Sequence, residues 1–245
     1  MVMQAPLSLL CLPCAGASAA MYLRWRRFLP PWVRVVPVEL PGRGARMGEA
    51  FVEDFEALVA RICSEQAEAM RGDFAIFGHS MGALLAHGVA RRLQASRRPL
   101  PRALLESGCA APSRRDPARF DGGEDDASLI AELRKQGGTP EEVFASDELM
   151  RITLDTLRAD RRVCRSHVDN TAGASSPPLP LPVHAFAGRH DDIEPSAMAA
   201  WSKETAGVFT LDWFDGGHFF LRQHEAGFLA ALARHLPTQT HLHAH

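Results

Sequence analysis

The sequence predicts an α/β fold, a mostly parallel sheet with helices on both faces, and three observations carry that expectation. Short apolar runs of strand type alternate with stretches of helical spacing along most of the chain, the pattern from which parallel sheets are built. One run, Asp73-Phe74-Ala75-Ile76-Phe77, leads straight into Gly78-His79-Ser80-Met81-Gly82 and an amphipathic stretch from Ala83 to Leu93. Asp191 and His218 also follow directly on predicted strands. That puts them with Ser80 at the carboxyl edge of the sheet, where such folds bind ligands.

Taken in order, Leu7 to Leu12 reads as a short buried strand, and Pro13-Cys14-Ala15-Gly16-Ala17-Ser18 as a small-residue loop. Tyr22, Trp25 and Leu29 have helical spacing, which predicts a helix from Met21 to Leu29 that ends at Pro30-Pro31. Val33 to Leu40 reads as a second strand closed by Pro41-Gly42-Arg43-Gly44. Phe55, Leu58, Val59 and Ile62 predict a helix within Phe51 to Met70, with acidic residues at its start. After the Ser80 strand and helix, Ala103 to Ser107 forms the fourth strand.

The alternation then breaks. From about Pro112 to Pro182 there is no clean strand, only an acidic run from Asp121 to Asp126, Gly137-Gly138, and helical pieces near Ala127–Lys135 and Asp147–Arg165. A helical insertion between two sheet strands is where a lid over a site can grow; a helical subdomain packed on the surface is the plainer alternative. Val183 to Ala187 resumes the sheet, Pro195 to Glu204 reads as a helix with Pro in its first turn, and Val208 to Phe214 as the sixth strand. A helix from about Glu225 to Leu236 closes the fold. The expectation is one domain over residues 1–245 with an insertion at about 112–182.

Composition excludes several classes. A chain of 245 residues with 46% hydrophobic content can bury a large core, and a net charge of -2 leaves no basic excess for nucleic acid. Five scattered cysteines, Cys11, Cys14, Cys63, Cys109 and Cys164, form no even-numbered framework and suit a reducing, cytoplasmic setting. Cys11-Leu12-Pro13-Cys14 matches a metal or redox spacing, but Cys11 falls within an apolar strand and no second pair follows. Ala17-Ser18-Ala19 resembles a signal cleavage site, yet no Lys or Arg precedes Arg24, so the stretch reads as strand and loop. No apolar run approaches membrane-spanning length. The histidines of the tail, His241, His243 and His245, lack the spacing of a metal site.

Gly78-His79-Ser80-Met81-Gly82, set between strand and helix, has the form of a nucleophile elbow, with Ser80 exposed on a strained turn. A Gly-rich turn after a core strand is the bland alternative. A serine hydroxyl needs a neighbouring base, and a carboxylate must orient that base. His218, in a Gly-Gly-His loop after the last strand, is the candidate base, ahead of His79, His87, His184 and His190. Gly188-Arg189-His190-Asp191 favours Asp191 as the acid, with Asp192 adjacent and Glu106 at the end of the fourth strand as the other candidates. The oxyanion of acyl transfer needs preorganised amides. Met81 should supply one, and the Ala15-Gly16-Ala17 loop the other.

Several separated pieces together resemble one family. They are Leu12-Pro13-Cys14-Ala15-Gly16-Ala17, Leu40-Pro41-Gly42-Arg43, the Ser80 elbow, Leu157-Arg158-Ala159-Asp160, Gly188-Arg189-His190-Asp191-Asp192, and Gly216-Gly217-His218-Phe219-Phe220-Leu221. From Leu7 to about Leu236 the chain resembles type II thioesterases of non-ribosomal peptide and polyketide synthesis, which are α/β-hydrolases. It departs at Cys14, where His or another residue is usual, and at Ala17, where the family has a second Gly.

The resemblance implies a Ser80–His218–Asp191 triad, oxyanion amides at Ala15 and Met81, and no cofactor or metal. It also implies substrates held as thioesters on the phosphopantetheine arms of carrier proteins, served by a monomer with no nucleic-acid or membrane partner. A carboxylesterase, a medium-chain fatty acyl-carrier thioesterase and a non-catalytic binding protein of the same fold are the alternatives.

Overall fold

A computed structural model describes residues 6–115, 123, 125–171 and 176–237. Part of the acidic run and all three tail histidines fall outside them. Six strands, β1 (Leu7–Leu12), β2 (Val33–Pro37), β3 (Phe74–His79), β4 (Leu104–Ser107), β5 (Val183–Gly188) and β6 (Phe209–Phe214), pair in the order β2-β1-β3-β4-β5-β6. Every pairing is parallel. The chain runs from β1 outward to β2, then returns across β1 to β3 and continues the other way. The carboxyl ends of β1 and β3 therefore border the crevice where the strand order reverses.

Alternation along the strands divides the core into two layers. Leu10, Leu12, Phe74, Ile76, Leu104, Val183 and Ala185 face one side. There they meet α1 (Phe55–Glu65), α2 (Met81–Ala95) and the apolar stripe of the long α5 described below. Leu9, Cys11, Ala75, Phe77, Leu105 and Phe186 face the other side, against Tyr22, Trp25 and Phe228. The helices start where local chemistry allows. Asp54 caps α1 by accepting the Ala57 amide at 2.8 Å, which fixes the start four residues after the predicted Phe51.

Between β4 and β5 lie α3 (Asp126–Gln136), α4 (Glu141–Phe144) and α5 (Asp147–Thr171). Asp125 caps α3 through Ser128, and Gly137 ends it with φ 72°. Leu129, Leu133, Leu154 and Leu157 give these helices a small core of their own that leans on Ala15. After β5 come α6 (Pro195–Ala199) and, beyond β6, α7 (Phe220–Gln223) and α8 (Glu225–His235). Among the described residues no helix is long and apolar enough to cross a membrane.

One expected helix is absent. Met21 to Leu29 forms two 3-10 turns, Ala19–Tyr22 and Trp25–Arg27, not an α-helix. Tyr22 and Trp25 are both buried, and the Tyr22 hydroxyl donates to the Leu12 carbonyl at 2.8 Å. Residues three apart align in a 3-10 turn, so these two anchors override the weak helical preference of the segment.

Candidate active site

The elbow is built by two close backbone approaches. A Cβ on Gly78 would lie 2.1 Å from the Gly82 carbonyl oxygen, and one on Gly82 would lie 2.2 Å from that of Leu12. Only glycine allows the strand, turn and helix to pack this tightly. Ser80 at the apex is held at φ 55°, ψ -117°, a conformation that costs an L-residue free energy. Its amide donates to the Ser107 carbonyl at 2.8 Å, which fixes the turn to β4. The Met81 amide opens α2 and has no intrahelical acceptor, as for any first-turn amide.

Asp191 and His218 meet at the same edge. The Nδ1–H of His218 donates to Asp191 Oδ2 at 2.8 Å, with both side chains nearly buried. This bond leaves Nε2 as the ring nitrogen able to accept a proton. The ring lies 4.9 Å from that of His79, the residue preceding Ser80. Gly108, just past β4, keeps this ground clear: a Cβ there would come 2.6 Å from His79 Cε1 and 3.5 Å from His218 Cε1. Ser80 Oγ makes no hydrogen bond to His218 in this structure. Such bonds commonly tighten only when substrate binds.

The rival candidates are placed elsewhere. Asp192 is 65% exposed and pairs with Lys135 of α3 at 2.5 Å. Glu106 is fully buried on the α2 face of β4; neither of its oxygens has a hydrogen-bond partner, and burial pushes its carboxyl well above the usual range. His79 is also buried, and Nδ1 pairs with Ser107 Oγ at 3.0 Å. Desolvation first, and second the repulsion two protonated imidazoles would feel at this distance from His218, hold its pKa well below that of a free imidazole. His87, buried against Trp201, is pushed down to about 3 by desolvation first and Arg91 second.

None of the five cysteines is in a disulfide, and all are buried. Burial pushes the Cys14 thiol up to about 12, and that of Cys11 well above its usual value.

Two neighbouring clefts open at this edge. One of about 720 Å³ is lined by Asp191, His218 and residues of α3. The other, about 270 Å³, is lined by Cys14 to Ser18, Phe219, Arg222 and residues of α3, α4 and α5. Gln136 lines both. The helices between β4 and β5 thus form a wall of each cleft.

Sequence reading missed what holds the β1 loop. Glu39 accepts the Ala19 amide at 3.0 Å, Tyr22 binds the Leu12 carbonyl, and Asp160 accepts the Gly16 amide at 2.8 Å. Asp160 is joined to Arg43 by two hydrogen bonds of 2.6 and 2.7 Å. Both residues lie in stretches that carry the family resemblance, but 117 positions separate them, and no local pattern pairs residues so far apart.

Comparison with known proteins agrees with this architecture. Residues 8–240 match the thioesterase domain family. The chain is 36% identical to the thioesterase PikA5 of Streptomyces venezuelae, over 87% of this chain and 75% of that protein. It resembles the structure of the type II thioesterase BorB of the borrelidin cluster (TM-score 0.83, 38% identity, 95% of this chain and 93% of that one). It also resembles RedJ, the thioesterase of the prodiginine pathway in Streptomyces coelicolor (TM-score 0.85, 35% identity, 95% and 91% covered). The chain belongs to the thioesterase family of α/β-hydrolases and is a thioester hydrolase of the serine-hydrolase type.

Proposed function

We propose that this protein is a type II thioesterase that hydrolyses acyl groups, stalled or wrongly loaded ones included, from the phosphopantetheine arms of carrier proteins in non-ribosomal peptide or polyketide synthesis. The observation that carries the reading is the Asp191–His218 hydrogen bond of 2.8 Å at the sheet edge bearing the Ser80 elbow. The relatives, named for such pathways, support the substrate class.

In this mechanism Ser80 Oγ attacks the thioester carbonyl while His218 Nε2 takes its proton, and Asp191 stabilises the imidazolium. The amides of Met81 and Ala15 receive the oxyanion. Collapse expels the thiol, protonated by His218, and leaves an acyl group on Ser80. A water, deprotonated by His218, attacks the acyl group, and His218 returns that proton to Ser80 Oγ as the acid leaves. A thiolate leaves readily, so this reading needs no metal or cofactor. The protein acts as a cytoplasmic monomer, with carrier domains as its partners and neither nucleic acid nor a membrane involved.

The helices between β4 and β5 serve as the acyl gate, as their place in both cleft walls suggests. Cross-linking α3 to the Asp191 loop should then slow hydrolysis of long carrier-bound acyl groups more than that of a short soluble thioester. Equal slowing would reject the gate.

The test of the whole reading is a panel of acyl-carrier proteins and soluble esters, with release followed by mass spectrometry of the phosphopantetheine arm. Faster turnover of carrier-bound acyl groups is expected. Preference for the soluble esters would instead mark a carboxylesterase.

A further inference from the structure

The three consecutive amides of Ala15, Gly16 and Ala17 differ in their partners. The Ala17 amide donates to the Cys14 carbonyl at 3.2 Å and closes a four-residue turn. Gly16, with φ 73° and an ordinary negative φ at Ala15, makes it a type II turn. The Gly16 amide, in the middle peptide of that turn, donates to Asp160 Oδ2. Of these three amides, only that of Ala15 donates to no group among the described residues.

Asp160 reaches the turn from α5, and Leu157, one turn earlier on that helix, lies 3.7 Å from where a Gly16 Cβ would stand. Arg43 completes the network. It is 5% exposed and donates to both Asp160 oxygens and, at 3.3 Å, to the Ala17 carbonyl. Asp160 is 1% exposed, so the pair has left water almost entirely. A buried ion pair rarely stabilises a fold more than apolar residues of the same volume would. Placing one across the oxyanion loop suits a geometric task better than a stabilising one.

We propose that Arg43 and Asp160 are positioning residues for the oxyanion site: by holding the Gly16 amide they lock the middle peptide of the Cys14–Ala17 turn and leave Ala15 N–H facing the substrate. This assigns α5, part of the insertion, a role in the chemistry besides enclosing the clefts. The proposal rests on the reading of Ser80 as nucleophile and of Ala15 and Met81 as donors.

The test compares wild type with Arg43→Met/Asp160→Leu, which removes both charges while keeping their volume, and with Asp160→Asn, which keeps one acceptor oxygen for the Gly16 amide. A short soluble thioester reads kcat and KM, a fluorophosphonate reads Ser80 reactivity, and thermal melts read folding. The double variant should lose about 10²- to 10³-fold in kcat, the scale of one lost oxyanion donor, with KM changed less than roughly 3-fold. Phosphonylation should slow in parallel, and Asp160→Asn should fall between the two. A folded double variant with wild-type kcat overturns the proposal. Should the double variant not fold, Asp160→Asn decides alone: a lowered Tm with unchanged kcat marks a merely structural pair. A wild-type protein that neither labels at Ser80 nor cleaves the thioester would overturn the underlying reading instead.

Discussion

Gly82 packs so closely on Leu12 that a Cβ would stand 2.2 Å from the Leu12 carbonyl oxygen and 2.8 Å from that of Pro13. This contact joins the first turn of α2 to the end of β1. It brings the Met81 amide and the Ala15 loop to one crevice, although they lie far apart in sequence. Backbone, not side chain, occupies the space, so neither partner can yield by changing rotamer. Gly82→Ala should therefore lose stability, by about 1–3 kcal/mol or more, and lose phosphonylation of Ser80 as well. A denaturant melt and a labelling time course check both.

Ser80 is predicted to carry the acyl group, so Ser80→Ala should lower turnover by roughly 10⁴- to 10⁶-fold with the fold intact. The backbone at φ 55°, ψ -117° adds a second expectation. Ser80→Gly should be as inactive as Ser80→Ala, yet more stable than it by about 1 kcal/mol, because glycine relieves the strain at a smaller entropic cost. Equal melting of the two would show that the turn stores little strain.

The Asp191–His218 bond and the Asp192–Lys135 pair predict opposite behaviour for adjacent residues. Asp191→Asn should reduce kcat by about 10⁴-fold, since the amide no longer fixes the imidazole tautomer. Asp192 is exposed and pairs with Lys135 rather than His218, so Asp192→Asn should change kcat by less than about 3-fold. Steady-state kinetics on one soluble thioester orders the two.

Glu106 makes stability depend on pH in a definite sense. Burial raises its folded pKa above the unfolded value of a carboxyl. Between the two pKa values the folded state keeps a proton that the unfolded state has released. Its contribution is therefore fully present below about pH 4.3 and declines as pH rises towards the folded pKa, by about 1.4 kcal/mol per unit. Glu106→Gln, always neutral, should gain on wild type as the pH of a denaturant titration rises from about 5 to 8. A constant difference across that range would mean that Glu106 ionises in place.

Much of the fold was legible because it rests on short-range patterns. The six strand runs and the helical stripe of Phe55, Leu58, Val59 and Ile62 appear where the spacing put them, with β2 ending at Pro37 rather than Leu40. The segment around Tyr22 and Trp25 did not, since its turns are set by a hydroxyl reaching the Leu12 carbonyl and a ring buried against Phe77.

The sequence alone determined the succession of the six strands, the elbow at Ser80, and the short set of groups that could surround it. Each of these depends on spacing within a few residues, where chain geometry leaves little choice. It did not decide between Asp191, Asp192 and Glu106 as the partner of His218, nor between Ala15 and Gly16 as the free amide. Those outcomes depend on which groups meet across the sheet edge and which are taken out of water. Asp191 reaches His218 while Asp192 turns to Lys135, Glu106 points into the core, and Asp160 arrives from α5 to occupy the Gly16 amide. Partners so distant in sequence are chosen by packing, and packing exists only once the chain has folded.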